Sequence, residues 1–188
     1  MSNEAERFVE LYEPVAPSIY AWARLRIREP LQRRLDPEDL LQEICCRAFR
    51  RFDTFSPTTS NERAAFRSWM FGIAHNVLKE ALRGVRTRGE SVFGRISGST
   101  TIGLDAVAAK ATGVSTRVAR RADLAEFLAG LSGIDDQDRR ILVHHGLEER
   151  THEETATLLG ISRDQAEKRW QRLRARLVER GIPPGLAL

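Results

Sequence analysis

Cysteine is scarce in this sequence, and the positions of the cysteines do not suggest a disulfide bond. The two cysteines in 188 residues are the neighbours Cys45 and Cys46, which cannot readily pair with each other. No Cys-x-x-Cys or histidine spacing supplies a zinc site, and His144 and His145 are helix neighbours that point apart. We therefore expect reduced cysteines and neither a metal nor another cofactor.

Long apolar runs are also missing. None approaches the length of a membrane span, and the first residues lack a basic-then-apolar signal pattern. The sequence has no segment with strand periodicity, no repeat and no low-complexity block. No nucleophile, base and orienting acid occur in a recognisable arrangement, so an enzyme is the least favoured class. These absences favour an all-α protein of the cytoplasm that is not an enzyme.

What the chain does have is charge, and its positive charge is mostly arginine. Charged residues make up 30% of the sequence, and the formal net charge is +4. Clustered arginines suit phosphate contacts better than a membrane surface. Nucleic acid is therefore the implied partner. The length allows one large or two small domains, and we favour two.

Residues 151–177 predict two short helices joined by a tight turn. Thr151 and Ser162 each precede a Glu or Gln by three residues, which is the spacing of a capping box. Between them, Gly160 can adopt the left-handed conformation that ends a helix. This is the layout of a helix-turn-helix.

The second of these helices has two different faces. Trp170 lies on an apolar stripe that we expect to pack on a core. The opposite, mostly basic face carries Asp164, Gln165, Lys168, Gln171, Arg172 and Ala175. Such a helix fits a DNA major groove. The alternative is an ordinary helical hairpin whose basic residues only solvate a surface.

Three more helical stretches are predicted upstream. The first covers residues 4–28, with a bend or break at Pro14 and Pro17. The second begins at the helix-start signal Asp36-Pro37. Its outward residues are Asp39, Gln42, Glu43, Arg47 and Arg50, and they indicate either an interface or a solvated face.

The third stretch is a helix over residues 62–83, preceded by a polar loop. Its polar face carries Ser68, Gly72, His75, Asn76, Lys79 and Arg83. Trp69, at the margin, could stack on unpaired bases or pack in the core. Residues 84–121 lose periodicity and predict a linker. We thus expect two small helical domains, 1–85 and 122–188, joined by a flexible linker over 86–121, with the helix-turn-helix in the second domain.

Three separated blocks, in this order, resemble the sigma-70 family, and most of all its small extracytoplasmic-function class. They are DPEDLLQEICCRAFRRFDTF, AFRSWMFGIAHNVLKEALR and DQDRRILVHHGLEERTHEETATLLGISRDQAEKRWQRLRARL. The resemblance implies a promoter-specificity subunit of bacterial RNA polymerase. Its partners would be the beta-prime and beta subunits of the core enzyme and promoter DNA, and an anti-sigma factor remains open as a further partner.

The resemblance also implies roles for individual residues. The helix that docks on the beta-prime clamp helices would carry Asp39, Gln42, Glu43 and Phe49. The segment that meets the minus-ten element would carry Trp69, His75, Asn76 and Lys79. The helix that reads the minus-thirty-five element would carry Lys168, Arg169, Gln171 and Arg172.

The chain departs from the family pattern at two places, and other functions stay open. Glu167 stands where many relatives carry lysine or arginine, and the linker is longer and richer in glycine. A helix-turn-helix regulator with an unrelated sensing domain is the main alternative; it would bind duplex DNA without binding polymerase. A partner-binding protein without DNA activity is a third, against which the basic face of residues 168–176 argues.

Overall fold

All regular secondary structure that the computed structural model describes is helical. The described residues are 2–27, 31–57, 60–88, 113–114, 117–118, 121–131 and 133–180. The all-α prediction is confirmed over these ranges. The chain divides into two compact units, Met1–Ala119 and Arg120–Leu188. Most of the predicted linker lies outside the described residues.

The first unit contains three long helices. They are α1 (Ser2–Arg26), α2 (Pro37–Arg50) and α3 (Glu62–Arg88). Short 3-10 turns at Leu31–Arg33 and Phe52–Thr54 precede and follow α2. The three helices pack on a common aromatic core, in which the ring of Phe8 lies 5.2–5.9 Å from four others.

Of the predicted alternatives for α1, a bend or a break, the break is wrong, because the helix continues through Pro14 and Pro17. Each proline removes the donor for the carbonyl four residues earlier, which belongs to Glu10 or Glu13. Both glutamates are exposed, so water can satisfy these carbonyls. Both halves of the helix are held by buried side chains, among them Phe8, Tyr12, Ala16, Ile19 and Trp22.

The start of α2 agrees with its sequence signal, whereas the end of α3 does not. The Asp36 carboxylate accepts a hydrogen bond from the Glu38 amide at 2.7 Å, and proline occupies the first helical position. Helix α3 runs to Arg88 rather than to Arg83, three residues into the predicted linker of residues 86–121. Val85 is buried, so packing offsets the weak helix propensity of Gly84.

Four helices are described in the second unit. They are α4 (Ala122–Gly130), α5 (Asp136–Ile141), α6 (His152–Leu159) and α7 (Arg163–Glu179). Helix α5 continues directly into a π-helical segment, Leu142–Leu147. The core of this unit includes Leu124, Phe127, Ile141, Leu142, Leu147, Ala166, Leu173 and Leu177.

The helix-turn-helix of α6 and α7 forms as predicted. The Thr151 amide donates to Glu154 at 2.9 Å while the Glu154 amide donates back at 3.2 Å, and the box that begins at Ser162 repeats both bonds. Gly160 ends α6 with φ of 68°. A residue with a Cβ would be strained in that conformation, so glycine specifies the turn.

Candidate functional site

The outward face of α2 carries the first group of candidates. Asp39 is exposed, and its carboxylate has no ion-pair partner among the residues described. Partial burial and the nearby charge of Asp36 raise the pKa of the Asp39 carboxyl. Gln42 follows on the same side and is half-buried. Asp39 is therefore available to an outside partner.

The other two candidates of α2 also serve the fold. The Glu43 carboxylate, only 11% exposed, accepts a hydrogen bond from Nε of Arg47 at 2.6 Å. Arg47 donates through Nη1 to Glu80 of α3 at 2.5 Å, so this arginine joins the two helices. The ring of Phe49 packs edge-on against Phe8 with the ring centres 5.3 Å apart. Both side chains thus have partners inside the unit.

A basic cavity of about 300 Å³ lies between the C-terminal end of α2 and the middle of α3. Its lining consists of Arg47, Arg50, Arg51, Ile73, Asn76, Val77 and Glu80. Asn76 is exposed and offers both a donor and an acceptor. Arg50 and Arg51 line this cavity together with Asn76, which the sequence pattern did not indicate. The available signal was the arginine pair at the end of α2, but the cavity is lined by two helices and so leaves no local pattern.

Trp69 belongs to a cluster of four aromatic rings. Its centre lies 5.3 Å from Phe55, 5.6 Å from Phe66 and 6.5 Å from Phe52. Trp69 and Phe55 are half-buried, whereas the other two rings are buried. One side of the Trp69 ring therefore packs on the core, while the rest stays accessible, and stacking on unpaired bases remains a prediction.

His75 and Lys79 differ in their surroundings although both lie on α3. The ring centre of His75 is 5.2 Å from that of Trp22, and its Nδ1 lies 2.7 Å from the carbonyl oxygen of Phe71. Because a carbonyl only accepts, Nδ1 must carry the proton. Lys79 is exposed, like Asn76. Asn76 and Lys79 are thus the most accessible polar candidates of this helix.

Helix α7 exposes three of its four candidates. Lys168, Gln171 and Arg172 are exposed on the face opposite the buried Trp170. Nε of Arg172 donates to the carbonyl of Lys168 at 3.2 Å, which leaves the outer guanidinium nitrogens available. This face is cationic and reaches solvent, as the amphipathic pattern predicted.

Arg169 has a different environment from these three. Its Nη1 donates to Asp138 at 3.0 Å and lies 3.4 Å from Asp135. Arg176, two turns further along α7, donates to the other oxygen of Asp138. Asp138 is buried at 4% exposure. Two arginines of α7 are therefore held against α5.

The neighbouring histidines His144 and His145 point to different partners, as expected. Nδ1 of His144 donates to Glu148 at 2.9 Å. Nδ1 of His145 donates to the carbonyl of Arg150 at 2.7 Å, and the ring stacks on His152. Burial, together with the neighbouring His152, lowers the pKa of His145. The described residues contain no group of three or more His, Cys, Asp or Glu side chains arranged to hold a metal.

Taken together, the described residues form helical units, and the helix-turn-helix of the second unit has a cationic outward face. Residues 11–88, fewer than half of the chain, match the model of a protein family, Sigma-70 region 2. Members of this family are non-enzymatic transcription initiation factors, and in them region 2 is associated with RNA polymerase core and promoter DNA. No curated protein and no solved structure matches the chain. No described helix is long and apolar enough to cross a membrane.

Proposed function

We propose that the chain is a sigma factor of the extracytoplasmic-function class, which directs RNA polymerase core to specific promoters and melts them. The region 2 match over residues 11–88 carries this proposal. The match lies within the first compact unit, Met1–Ala119. It argues against a regulator with an unrelated sensing domain, because polymerase binding is implied for the matched region itself.

Polymerase docking is proposed for the outward face of α2. Asp39 supplies an accessible negative charge and Gln42 a polar side chain on the same side. Glu43 and Phe49 would act mainly by keeping this face in place, since both have partners inside the unit. A rigid helix with few accessible charges suits a specific interface, where charge complementarity sets partner choice.

Minus-ten recognition and melting are proposed for α3. Asn76 can read the edge of an extruded base, and Lys79 can contact phosphate. Arg50 and Arg51 lie near Asn76 and add positive charge for a strand that leaves the duplex. The exposed part of Trp69, two turns earlier and about 10 Å away along the helix axis, could cover the end of the remaining duplex.

Minus-thirty-five recognition is proposed for α7. Lys168, Gln171 and Arg172 are exposed on one face of a capped helix that follows a tight turn. Side chains of these types contact base edges and phosphates in a major groove. Arg169, to which the resemblance gave the same role, faces Asp138 and is left out of this set. The assignment of residues 1–85 and 122–188 to the two DNA elements is part of this proposal, as is a linker over 86–121.

In vitro transcription with purified bacterial core polymerase tests this function. The full chain, mixed with core and a promoter library, should yield transcripts that start at defined positions and share upstream sequences. Core polymerase alone is the control, and pull-down of core by the tagged chain is the second readout. A chain that binds duplex DNA but neither retains core polymerase nor starts transcripts would instead be a helix-turn-helix regulator.

A further inference from the structure

The buried carboxylate of Asp138 joins α5 to α7 at two points. It is 4% exposed and lies in the first turn of α5. One oxygen accepts from Arg169 and the other from Arg176, which are seven residues apart on the same side of α7. These three residues line a cavity of about 430 Å³ together with Asp135, Arg172 and Ala175.

This geometry engages the guanidinium groups of Arg169 and Arg176 with one carboxylate, while their side chains stay 31% and 47% exposed. The charge of the buried Asp138 carboxylate is compensated by both guanidinium groups, and charge-assisted hydrogen bonds of this kind are the strong ones. Arg172 lies between the two arginines on α7 and lines the same cavity, yet its guanidinium has no carboxylate partner in the described ranges. The helix thus contains both engaged and available arginines side by side.

We propose that Asp138 is a specificity-determining residue, which withholds Arg169 and Arg176 from phosphates and thereby limits binding of α7 to DNA of any sequence. Each additional phosphate contact strengthens non-specific binding and steepens the slope of log K against log salt by about 0.9. With both arginines engaged, Lys168, Gln171 and Arg172 supply a larger share of the binding energy. This inference rests on the proposed function, in that α7 is taken as the helix that contacts duplex DNA.

The substitution Asp138→Asn tests this directly, because it keeps the side-chain shape and removes the charge. Binding of the full chain to a short duplex of random sequence is followed by fluorescence anisotropy between about 50 and 200 mM salt. We expect Asp138→Asn to bind the duplex more tightly than wild type and its slope of log K against log salt to steepen by about 1 to 2. A merely structural role predicts the opposite, a loss of affinity.

Asp135→Asn is the matched control. It makes the same change in net charge, and asparagine keeps the cap on α5. Asp135 is exposed and more distant from Arg169, so this variant should alter the slope less than Asp138→Asn does. Thermal unfolding followed by circular dichroism checks the fold of each variant.

A second test begins with a variant that keeps Asp138. Replacing both arginines, Arg169→Gln with Arg176→Gln, should leave the salt slope of the otherwise wild-type chain unchanged, and circular dichroism checks that this variant, whose buried Asp138 has lost both arginines, is folded. In the Asp138→Asn background the same pair should restore the wild-type slope. A decrease of about two in the salt slope when both arginines are replaced in the chain that keeps Asp138 would overturn the proposal. Unchanged or weaker duplex binding by folded Asp138→Asn would also overturn it.

These outcomes separate the inference from the proposed function. If the wild-type chain supports promoter-specific transcription but Asp138→Asn gains no duplex affinity, only the role of Asp138 fails. If the chain supports no transcription with core polymerase, the proposed function fails whatever the anisotropy shows. If the wild-type chain binds the duplex too weakly to measure and Asp138→Asn binds it measurably, the inference is supported.

Discussion

The imidazole rings of His145 and His152 stack with their centres 3.9 Å apart. His145 also meets the ring of Trp170 edge-on at 4.9 Å. The stack thus joins the π-helical segment to the first residue of α6 and to the middle of α7. Nδ1 of His152 is buried and has no hydrogen-bond partner among the described residues. Burial of the His145 ring in this stack disfavours its protonated form.

We predict that the second unit loses stability as pH falls below about 6.5. Burial and His152 lower the pKa of His145 below 6.5 in the folded chain. Below about pH 6.5, the pKa of a histidine in the unfolded chain, the unfolded chain binds more protons than the folded chain, so acid favours unfolding. The loss of stability grows as the pH falls towards the lowered pKa of His145. Thermal unfolding at several pH values measures this.

His145→Gln should make that unfolding less dependent on pH, since it removes the group with the lowered pKa. His144→Gln is the comparison, because His144 lies against Glu148 outside the stack. The interpretation fails if His145→Gln keeps the full acid sensitivity of the wild type.

We predict that Asp39→Arg strongly weakens binding to core polymerase without unfolding the first unit. A reversed charge on a docking surface costs on the order of several kcal/mol when it meets a complementary partner. Asp39 is a cleaner target than Glu43, whose substitution would also break the ion pair with Arg47. Asp53→Arg makes the same charge change on another exposed turn and should bind normally. Equal affinities of both variants for core would exclude this face of α2.

We predict that Asn76→Ala slows promoter opening and leaves closed-complex formation nearly unchanged. The exposed amide can read a base only after the base has left the stack, so its loss affects the melted state. Permanganate reactivity of promoter thymines, on a natural duplex and on a pre-melted bubble, measures this difference. A bubble should rescue much of the defect. Ser68→Ala, on the same exposed side of α3, is the control, and equal Asn76→Ala defects on both templates would assign Asn76 another role.

We predict that Lys168→Ala and Arg172→Ala each weaken binding to the upstream promoter element. If the side chain reads a base, its removal should cost about 1–3 kcal/mol of binding free energy and relax the base preference. If it contacts phosphate, its removal should instead lower the slope of log K against log salt by about one. Arg169→Ala is the internal comparison, because Arg169 is engaged by Asp138. Competition binding over single-base variants of the element distinguishes these cases. If neither Lys168→Ala nor Arg172→Ala changes selectivity or slope, α7 is not the reading helix.

Local chemistry made much of the fold predictable from the sequence alone. The caps at Asp36, Thr151 and Ser162 and the turn at Gly160 each depend on side chains within four residues, so a short window contains all that specifies them. Trp170 was predicted to be buried because its stripe repeats at the helical period, and it is.

The tertiary structure decided which charged and aromatic groups are available. Arg169 and Lys168 are adjacent in a basic stretch, but only Arg169 meets Asp138, 31 residues earlier in the chain. Arg47 finds Glu80 across 33 residues in the same way. Such pairs depend on how helices pack, and helical periodicity carries no signal for them. The sequence alone thus determined where most helices begin and which faces are apolar, whereas packing between helices determined which polar side chains remain accessible to a partner.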